Sequence, residues 1–325
     1  MKVLHVSAAY PTQENPQSGS FIFSQVVSLI QQGVESDVYV LKGHRIFKYL
    51  RGIFSLKKLI RNNNYNLIHA HYMYAGWTAR LSSNLPLVIS FMGNDVFGNL
   101  RDNGKYRFAS KYLHNLFSNI LLSYSSIGIA KSNNLAILLK NKNKIKIIPN
   151  GVDVSIFYPN KKIKKCDLGL SDRVKYVLFA GNPEEKRKRF TLANEAFNKL
   201  KEKIENVELL YIINKKPVEV AAFLNACDCL LMTSNQEGSP NIVKEALACN
   251  LPVISIDVGD VAERINGVDN CYLTTTDPND IARKLYKVIF NSQRAINGFE
   301  KVSLLSLEEI AKKIIVIYNN VLSLN

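Results

Sequence analysis

The chain has 325 residues, 47% of them hydrophobic, which is the composition of a soluble globular protein. This length is too great for one ordinary hydrophobic core and predicts two domains of about 150 residues each. No stretch reaches the ~18 apolar residues that a membrane span needs. The odd number of five cysteines argues against a disulfide framework, so we expect them to be small buried core residues.

The positive charge of the chain lies almost entirely in its first half. Residues 1–150 hold 18 Lys and Arg against 5 Asp and Glu, a net charge of +13, whereas residues 151–325 hold 24 against 22, a net charge of +2. A basic half is suited to an anionic partner, and a membrane, a phosphorylated acceptor and nucleic acid all qualify. A general solubility charge is the alternative explanation.

Short apolar runs alternate with helix-length segments along the first half. The N-terminus, Met-Lys-Val-Leu-His-Val, predicts a buried strand and lacks the long apolar core of a signal peptide, so we expect a cytoplasmic protein. The predicted strands are Lys2–Val6, Ser36–Leu41, Asn66–Ala70, Leu87–Phe91, Ser126–Ala130 and Lys144–Ile148. The predicted helices include Ser20–Gln32, Phe54–Asn62, Tyr106–Phe117 and Ser132–Lys140.

The same alternation restarts after Pro159. The predicted strands are Val174–Ala180, Val207–Ile213, Cys229–Met232, Pro252–Ile256 and Cys271–Leu273. The predicted helices are Phe190–Lys203, Val218–Ala226, Asn241–Cys249, Val261–Asn266 and Asn279–Phe290. A long amphipathic helix, Leu304–Leu322, closes the chain.

This alternation predicts an α/β protein made of two doubly wound, Rossmann-like domains. Proline and glycine mark the boundary near Pro149–Asp153, which gives domains 1–150 and 151–305. The C-terminal helix, about 306–325, is expected to pack back on the first domain. In such sheets ligands bind outside the carboxyl ends of the strands, so facing sheet edges would form one cleft between the domains.

Three strand ends of the first half carry candidate functional residues. Gly19 opens a helix after the first strand, where a phosphate could approach bare amides or where the turn merely caps the helix. His69 and His71 lie two residues apart, but no carboxylate follows at metal-ligand spacing, so an acceptor contact is favoured over a metal site. Gly93 and Asp95 form a turn in which the carboxylate could position a sugar hydroxyl or cap the following segment.

The second half carries four cations and two carboxylates of interest. Lys186–Arg189 place four cations before the start of a helix, where the helix dipole disfavours positive charge. A bound diphosphate would explain this arrangement, and a solvated basic turn is the alternative. Glu237 lies in a loop after a strand, and Glu245 follows two turns later on a helix. At ~1.5 Å per residue they are too far apart to act as an acid/base pair on one atom. We expect them to hold different parts of one elongated ligand.

The order and spacing of these motifs together resemble the retaining glycosyltransferases of family 4, which have the GT-B fold. The resemblance extends over most of the chain, and Asn225–Glu263 is most similar to the branch that builds bacterial cell-surface polysaccharides. The residues that carry it are Gly19, Phe91–Asp95, Ile148–Asp153, Phe157, Pro159, Gly181, Lys188, Glu237, Glu245, Leu251–Ile254, Gly259 and Glu263.

The resemblance implies an enzyme that transfers a hexose-type sugar from a nucleoside diphosphate sugar to a hydroxyl of a glycan or lipid-linked glycan. The second domain would bind the nucleotide sugar as a co-substrate, with no cofactor and no metal, and the first domain would bind the acceptor. The implied donor-binding residues are Gly19, Gly181, Asn182, Arg187, Lys188, Glu237, Gly238, Ser239, Pro240, Asn241, Ile242, Val243 and Glu245. The implied acceptor-side residues are His71, Met92, Gly93 and Asn94, and the implied catalytic residues are Glu237, Lys188 and Asp95.

The resemblance also implies a role for each main donor contact. Glu245 would hold the ribose hydroxyls, and Glu237 would contact the hydroxyls of the donor sugar. The amides after Glu237 would bind the sugar and the β-phosphate, Lys188 would contact the diphosphate, and Gly19 would pack against the phosphates from the first domain.

The chain departs from the family pattern at several positions. Met92 replaces the usual His near the reaction centre and is a poor hydrogen-bond partner for a hydroxyl. Asn182 replaces the usual Arg, a charge that Arg187 or Arg189 could supply, and Arg189 itself replaces a glycine. Asn214–Pro217 is shorter than the family's glycine-containing loop, so the nucleotide base is not predicted.

Two other functions fit parts of the sequence. A non-catalytic sugar-nucleotide or glycan-binding subunit on the same fold is supported by Met92 and Asn182. The second, nucleic-acid binding, lacks aromatic platforms among the basic residues, and we expect no nucleic-acid partner.

A segment of the first half has the composition of a membrane-interfacial segment. It comprises residues 44–58, with 106–122 as a second candidate, and it mixes basic, aromatic and aliphatic side chains. An ordinary amphipathic helix has the same pattern. The interfacial composition predicts peripheral attachment to the anionic inner face of the plasma membrane.

Overall fold

The computed structural model describes residues 1–15, 18–99 and 107–324, and the chain divides into two compact units. The first unit comprises Met1–Gly151 and Leu307–Asn325, and the second comprises Val152–Ser306. This division falls one residue from the boundary that the sequence predicts. Among the residues described, no helix is long and apolar enough to cross a membrane.

The first unit is built on a six-stranded sheet in which all paired strands are parallel. Its strands are β1 (Lys2–Ser7), β2 (Glu35–Val40), β3 (Leu67–His71), β4 (Leu87–Phe91), β5 (Ile127–Ala130) and β6 (Ile145–Ile147). Their spatial order is β2-β1-β3-β4-β5-β6, so the winding direction reverses between β1 and β3. Doubly wound sheets bind ligands at such a switch point.

Six α-helices lie between or beside these strands in the part of the chain that the structure describes. They are α1 (Ser20–Gln31), α2 (Phe47–Arg61), α3 (Met73–Ser82), α4 (Asn94–Phe97), α5 (Phe108–Ser123) and α6 (Asn133–Ala136). Helix α3 packs against both α2 and α5, so these three helices form one layer. The core beneath is almost wholly aliphatic and includes Leu4, Ile68, Ile89 and Leu121.

The second unit repeats this construction with five parallel strands. The strands are β7 (Lys175–Ala180), β8 (Val207–Ile212), β9 (Cys229–Met232), β10 (Val253–Ile256) and β11 (Tyr272–Thr274). Their order is β11-β10-β9-β7-β8, which places the switch point between β7 and β9. The helices are α7 (Phe190–Lys201), α8 (Pro217–Ala226), α9 (Asn241–Ala248), α10 (Val261–Ile265), α11 (Pro278–Asn291) and α12 (Gly298–Ser303).

The last helix, α13 (Leu307–Ser323), packs against α1 and so belongs to the first unit. Its buried face follows helical spacing through Ile310, Ile314, Ile317 and Val321. Tyr318 is fully buried on the same helix, and its hydroxyl lies 2.5 Å from His69 Nδ1 of β3. This contact ties the end of the chain to the centre of the first sheet.

Several helices differ from the sequence expectations. Helix α2 begins at Phe47 rather than Phe54; its first two turns expose apolar side chains, which hides the usual amphipathic pattern. Helix α5 ends at Ser123 rather than Phe117, and helix α6 ends at Ala136 rather than Lys140. Helices α3, α4 and α12 were not among the predicted helices. Six of the ten residues of α3 are buried, most of them small, so α3 lacks the polar stripe that marks a surface helix.

The cysteines only partly follow the prediction of small buried core residues. All five are free, and Cys227, Cys229 and Cys249 are buried in the second unit. Cys271 is half-buried, and Cys166 is exposed, so for Cys166 the prediction was wrong.

Candidate active site

Two loops meet at the switch point of the second sheet, one after β7 and one after β9. The first carries a single 3₁₀ turn, Lys186–Lys188, which ends at Arg189 in a left-handed conformation before α7 begins. The second carries Glu237. Asn235 N donates a hydrogen bond to Arg187 O (2.9 Å), so the two loops are joined by their backbones as well as by their side chains.

The side chains at this junction form a compact ion cluster. Lys188 Nζ lies 2.9 Å and Arg187 Nη1 2.6 Å from the same oxygen, Glu237 Oε1. Burial alone would raise the pKa of the Glu237 carboxyl, but Lys188 and Arg187 hold that pKa below its ordinary value. Two sequence-predicted site residues, 49 positions apart, are therefore in direct contact.

The loop before this turn supports the lysine. Gly181 has φ +151°, and a Cβ at this position would lie 3.4–3.5 Å from the Lys188 side-chain carbons. Asn182 Oδ1 accepts a hydrogen bond from Glu184 N and so closes a turn. Asn182 therefore shapes the loop but brings no charge to it.

Of the two arginines that could replace the family's missing charge, only Arg187 reaches the ion cluster. Arg189 Nε instead donates to Thr233 O (2.6 Å), and its Nη2 donates to Ser234 O (3.3 Å). These backbone contacts fasten the end of β9 to the start of α7.

Glu245 lies apart from the ion cluster, in the second turn of α9. It is half-buried, and its carboxylate accepts no hydrogen bond from any residue that the structure describes. Burial raises the pKa of this carboxyl to about 7, and the nearby Lys244 lowers it only in part. Such a group has spare hydrogen-bonding capacity for the hydroxyls of a ligand.

The residues between the two glutamates divide into three kinds. Gly238 and Pro240 lie in the loop, and Pro240 directly precedes the first residue of α9. Asn241 and Ile242 are half-buried at the start of that helix. The hydroxyl of Ser239 is occupied by Lys244 and Asp260, at 2.9 Å each, and Val243 is fully buried in the core. The side chains of Ser239 and Val243 therefore do not contact the sugar donor. Only the backbone amides of these two residues could do so.

In the first unit, Gly19 permits a close approach of two backbone segments. It has φ +65°, and a Cβ there would overlap the backbone of Ala9. Its carbonyl accepts hydrogen bonds from Ile22 N (2.9 Å) and Phe23 N (3.1 Å), which starts α1. The structure therefore supports the helix-start alternative for Gly19, and its phosphate contact stays a prediction.

Asp95 is a buried clamp rather than an exposed catalytic group. Its carboxylate accepts hydrogen bonds from Met92 N, Gly93 N and Met73 N at 2.8–3.3 Å, and none of its surface is exposed. Burial raises the pKa of this carboxyl to about 6, against the opposing effect of the amide donors. Of the two roles expected for Asp95, the geometry shows capping, so we treat Asp95 as a positioning residue.

Replacing Asp95 by asparagine is expected to lower the free energy of unfolding by about 1–3 kcal/mol, because the new amide group would face backbone donors and leave them without an acceptor. Urea unfolding followed by circular dichroism measures the change. The control is Asp37→Asn, since Asp37 is 48% exposed and its ion pair with Lys2 should contribute less than about 1 kcal/mol. Equal effects of the two substitutions would contradict the clamp.

Three of the four acceptor-side candidates lie next to this clamp. Met92 is half-buried, Gly93 has φ +135°, and Asn94 is exposed with its carbonyl 2.8 Å from His114 Nδ1. Their contact with an acceptor stays a prediction. The clamp fixes the backbone from which Met92 and Asn94 project.

His71 belongs to a buried cluster with His5 and His69 at the switch point of the first sheet. His5 Nδ1 lies 3.2 Å from His71 Nε2, and His69 Nε2 lies 2.8 Å from Ser90 Oγ. Burial lowers the pKa of all three imidazoles, so they are neutral. Because His71 is only 1% exposed, its side chain cannot reach an acceptor in this conformation.

One ring nitrogen from each of these three histidines lies within 4.8 Å of the others, close enough to share a metal ion. The buried Lys131 lies near enough to lower the pKa of His69 and His71. A cation in these surroundings opposes the binding of a metal ion, and we assign none to the cluster.

Comparison with known proteins gives the family. Residues 18–156 match the model "Glycosyltransferase Family 4", and residues 211–291 match the model "Glycosyl transferases group 1". The chain belongs to these glycosyltransferases. The first match covers most of the first unit, and the second lies within the second unit.

Curated relatives span most of this glycosyltransferase. An uncharacterized glycosyltransferase of Methanocaldococcus jannaschii is 28% identical over 275 residues, which cover 78% of this chain and 74% of the relative. The putative teichuronic acid biosynthesis glycosyltransferase TuaC of Bacillus subtilis is 25% identical, with 81% and 82% covered. The O-antigen biosynthesis glycosyltransferase WbnH of Escherichia coli is also 25% identical, with 80% and 78% covered.

Solved structures share the fold over the whole glycosyltransferase. A sucrose-phosphate synthase from Thermosynechococcus elongatus has a TM-score of 0.80 at 16% identity, with 100% of each chain covered. Anabaena Alr3699/HepE, in complex with UDP and glucose, has a TM-score of 0.72 at 14% identity, with 98% and 100% covered. At such identities the likeness shows the fold alone, and it confirms the predicted GT-B fold.

Proposed function

We propose that this glycosyltransferase moves a hexose-type sugar from a nucleoside diphosphate sugar to a hydroxyl of a glycan or lipid-linked glycan, with retention of anomeric configuration. The observation that supports it most directly is the meeting of Lys188, Arg187 and Glu237 at the switch point of the second sheet. Cations and a carboxylate placed side by side suit a diphosphate joined to a sugar.

In this proposal the second unit binds the donor. Lys188 and Arg187 contact the diphosphate, and Glu237 accepts hydrogen bonds from the hydroxyls of the donor sugar. The unpartnered carboxylate of Glu245 holds the ribose hydroxyls, and the backbone amides of residues 238–243, apart from Pro240, contact the sugar and the β-phosphate. We propose no metal ion, because the two cations already supply positive charge at the diphosphate.

The chemistry follows from the charge that develops on the leaving group. As the bond from the anomeric carbon to the diphosphate breaks, negative charge grows on the phosphate oxygens beside Lys188 and Arg187. The acceptor hydroxyl attacks the anomeric carbon from the same face and forms the new glycosidic bond. Its proton passes to the departing phosphate oxygen, so the step requires no protein base.

We place the acceptor in cell-surface polysaccharide synthesis because relatives covering about four fifths of the chain are named for teichuronic acid and O-antigen synthesis. The test uses purified protein with uridine, guanosine and adenosine diphosphate sugars, followed by calorimetry and mass spectrometry. Binding of one donor and transfer to a lipid-linked glycan would support the proposal. An absence of both binding and hydrolysis across the panel would reject it, and binding without turnover on a verified acceptor would favour a non-catalytic subunit.

The pH dependence of donor binding tests the role of Glu245. The pKa of this carboxyl is about 7, and the ionised form accepts hydrogen bonds from two ribose hydroxyls more strongly than the protonated form does. Affinity for a nucleotide sugar should therefore rise by up to about tenfold between pH 6 and pH 8. A nucleotide sugar is the right probe because its phosphates do not titrate in this range, unlike a terminal phosphate, whose second pKa is ≈ 6. The variant Glu245→Gln should bind more weakly and show no such dependence.

We further propose that the layer formed by α2, α3 and α5 docks on an anionic membrane. The chain has no acidic residue between Asp37 and Asp95, and α2 exposes the basic residues Arg51, Lys57, Lys58 and Arg61. Apolar side chains protrude beside them, with Phe54 78% exposed and Phe108 80% exposed. The other exposed apolar residues of α2 and α5 are Phe47, Leu50, Tyr112, Leu113, Leu116, Phe117 and Ile120. Apolar side chains flanked by cations are typical of an interfacial surface.

Vesicle co-sedimentation tests this docking. With vesicles rich in an anionic phospholipid at low salt, Lys57→Gln/Lys58→Gln should bind roughly 30-fold more weakly than the wild type, since each basic residue contributes ≈ 1 kcal/mol near the surface. The control is Lys201→Gln/Lys203→Gln, an identical change at exposed residues of the second unit. Failure of the wild type to co-sediment, or an equal loss in the control, would exclude the docking surface.

A further inference from the structure

A buried polar cluster lies next to the loop that carries Glu237. Lys244 is fully buried in α9, and its ammonium donates a hydrogen bond to Ser239 Oγ (2.9 Å). The Ser239 hydroxyl donates to Asp260 Oδ2 (2.9 Å), and Arg264 Nε donates to the same oxygen (3.0 Å). These four residues, Ser239, Lys244, Asp260 and Arg264, are called the Lys244 cluster below.

The cluster joins two loops that also touch through their backbones. Gly259 has φ +63°, and a Cβ there would lie 2.7 Å from Gly238 O and 3.0 Å from Glu237 O. Such distances leave no room for any side chain, so the loop after β10 lies directly against the loop after β9. Ser239 and Asp260, each next to one of these glycines, complete the contact with their hydrogen bond.

The members of the cluster depend on one another because they are buried. Burial lowers the pKa of the Lys244 ammonium to about 8, while the Asp260 carboxylate opposes that effect. Asp260 is only 5% exposed, and its Oδ1 has no hydrogen-bond partner among the described residues. The Asp260 carboxylate therefore depends on Ser239 and Arg264 for its hydrogen bonds. Removing the charge of Lys244 or of Asp260 would leave the opposite charge poorly compensated in the interior.

Glu237 is thus held from two sides. Lys188 and Arg187 fix its carboxylate, and Gly259 with the Lys244 cluster fixes its backbone. The same loop carries the amides that the proposed function places on the donor. A displacement of this loop by about 1 Å would misplace the sugar relative to the diphosphate contacts, a change that can cost ~100-fold in rate.

We infer that the Lys244 cluster positions Glu237 and the following amides for sugar transfer, with Ser239, Lys244 and Asp260 acting as positioning residues that contact no substrate through their side chains. The inference rests on the proposed donor site, and it adds that the Lys244 cluster determines the geometry of that site. It also accounts for a lysine on the apolar side of α9, where Val243, Ala246 and Leu247 are core residues.

The kinetic test separates positioning from binding. Ser239→Ala should lower kcat about 10- to 100-fold and change the Kd for the free nucleoside diphosphate less than threefold, and Lys244→Met, which preserves length, should lower kcat to a similar extent. Lys244→Met/Asp260→Asn should be no slower than Lys244→Met alone, because the partners act as a unit. The control Lys201→Met, at an exposed residue of α7, should match the wild type. The inference is overturned if the folded variants keep kcat within twofold, or if diphosphate binding falls as far as kcat.

Hydrogen–deuterium exchange tests the positioning without any substrate. Peptides covering residues 233–243 should exchange at least tenfold faster in Ser239→Ala and Lys244→Met than in the wild type, while β7 peptides stay unchanged. Unchanged exchange in both variants would overturn the inference, even if the wild type proves fully active. A wild type that binds no nucleotide sugar would instead reject the proposed function, and the assignment to catalysis would fall with it.

Discussion

Glu237→Gln is expected to reduce sugar transfer at least ~100-fold while leaving nucleoside diphosphate binding unchanged or tighter. The carboxylate is proposed to orient the sugar, and a displacement of the sugar by about 1 Å can lower the rate by this factor. In the free protein the same carboxylate neutralises Lys188 and Arg187 at 2.9 and 2.6 Å. A diphosphate must share those cations with it, so removing the negative charge should favour the anionic ligand. Transfer assays and calorimetry with the free diphosphate measure the two effects separately.

The matched control is Glu184→Gln in the neighbouring loop, because Glu184 is exposed and contacts Asn182 only through its backbone amide. It should retain at least half of the wild-type rate. Diphosphate binding that falls together with transfer in Glu237→Gln would contradict the assigned role, since Glu237 would then support the cations rather than the sugar.

Much of the fold was predictable because parallel strands buried on both faces carry near-continuous apolar runs. Strands β4 and β9 have the predicted bounds, Leu87–Phe91 and Cys229–Met232. Helices were predictable only where one face was clearly apolar. The start of α2 was not predictable, because Phe47, Leu50 and Phe54 are exposed to solvent rather than packed in the core. The spacing of apolar residues along a helix does not reveal whether they face the core or the solvent.

The candidate site was predictable to the extent that topology alone determines it. Loops after β7 and β9 must meet at the switch point, so Lys188 and Glu237 were both expected at a strand's carboxyl end. What each side chain does there depends on neighbours that no spacing rule reveals. Ser239 looked like a donor contact in sequence, but Asp260, 21 residues away, occupies its hydroxyl.

Asp95 and Lys244 show the same limit more sharply. Each is a charged residue inside the core, and sequence patterns treat charges as either exposed or catalytic. Asp95 instead caps amides from the ends of β3 and β4, and Lys244 fastens the loop after β9 to the loop after β10. Asp95 and Lys244 therefore each support loops at the carboxyl edge of their own sheet, where family 4 chemistry is expected.

Lys188→Ala is expected to weaken nucleoside diphosphate binding by about 1.5–3 kcal/mol, the range for a hydrogen bond to a charged group, which is roughly 10- to 150-fold in Kd. Its side chain is only partly exposed, and Gly181, next to the side-chain carbons, leaves room for them. The rate of transfer should fall further than the affinity, because the diphosphate carries more charge when it leaves than when it binds. Calorimetry and single-turnover kinetics measure the two quantities.

Lys186→Ala is the matched control, since Lys186 lies in the same 3₁₀ turn, carries the same charge and is exposed. Long-range attraction of the diphosphate would be lost equally in both variants and would shrink in both as salt rises, because exposed charges are screened within about 10 Å at 0.1 M ionic strength. A contact at Lys188 predicts a loss that is confined to Lys188→Ala and persists at 0.5 M salt. Equal losses in the two variants, abolished by salt, would mean that the turn attracts the donor through its net charge and that Lys188 makes no specific contact.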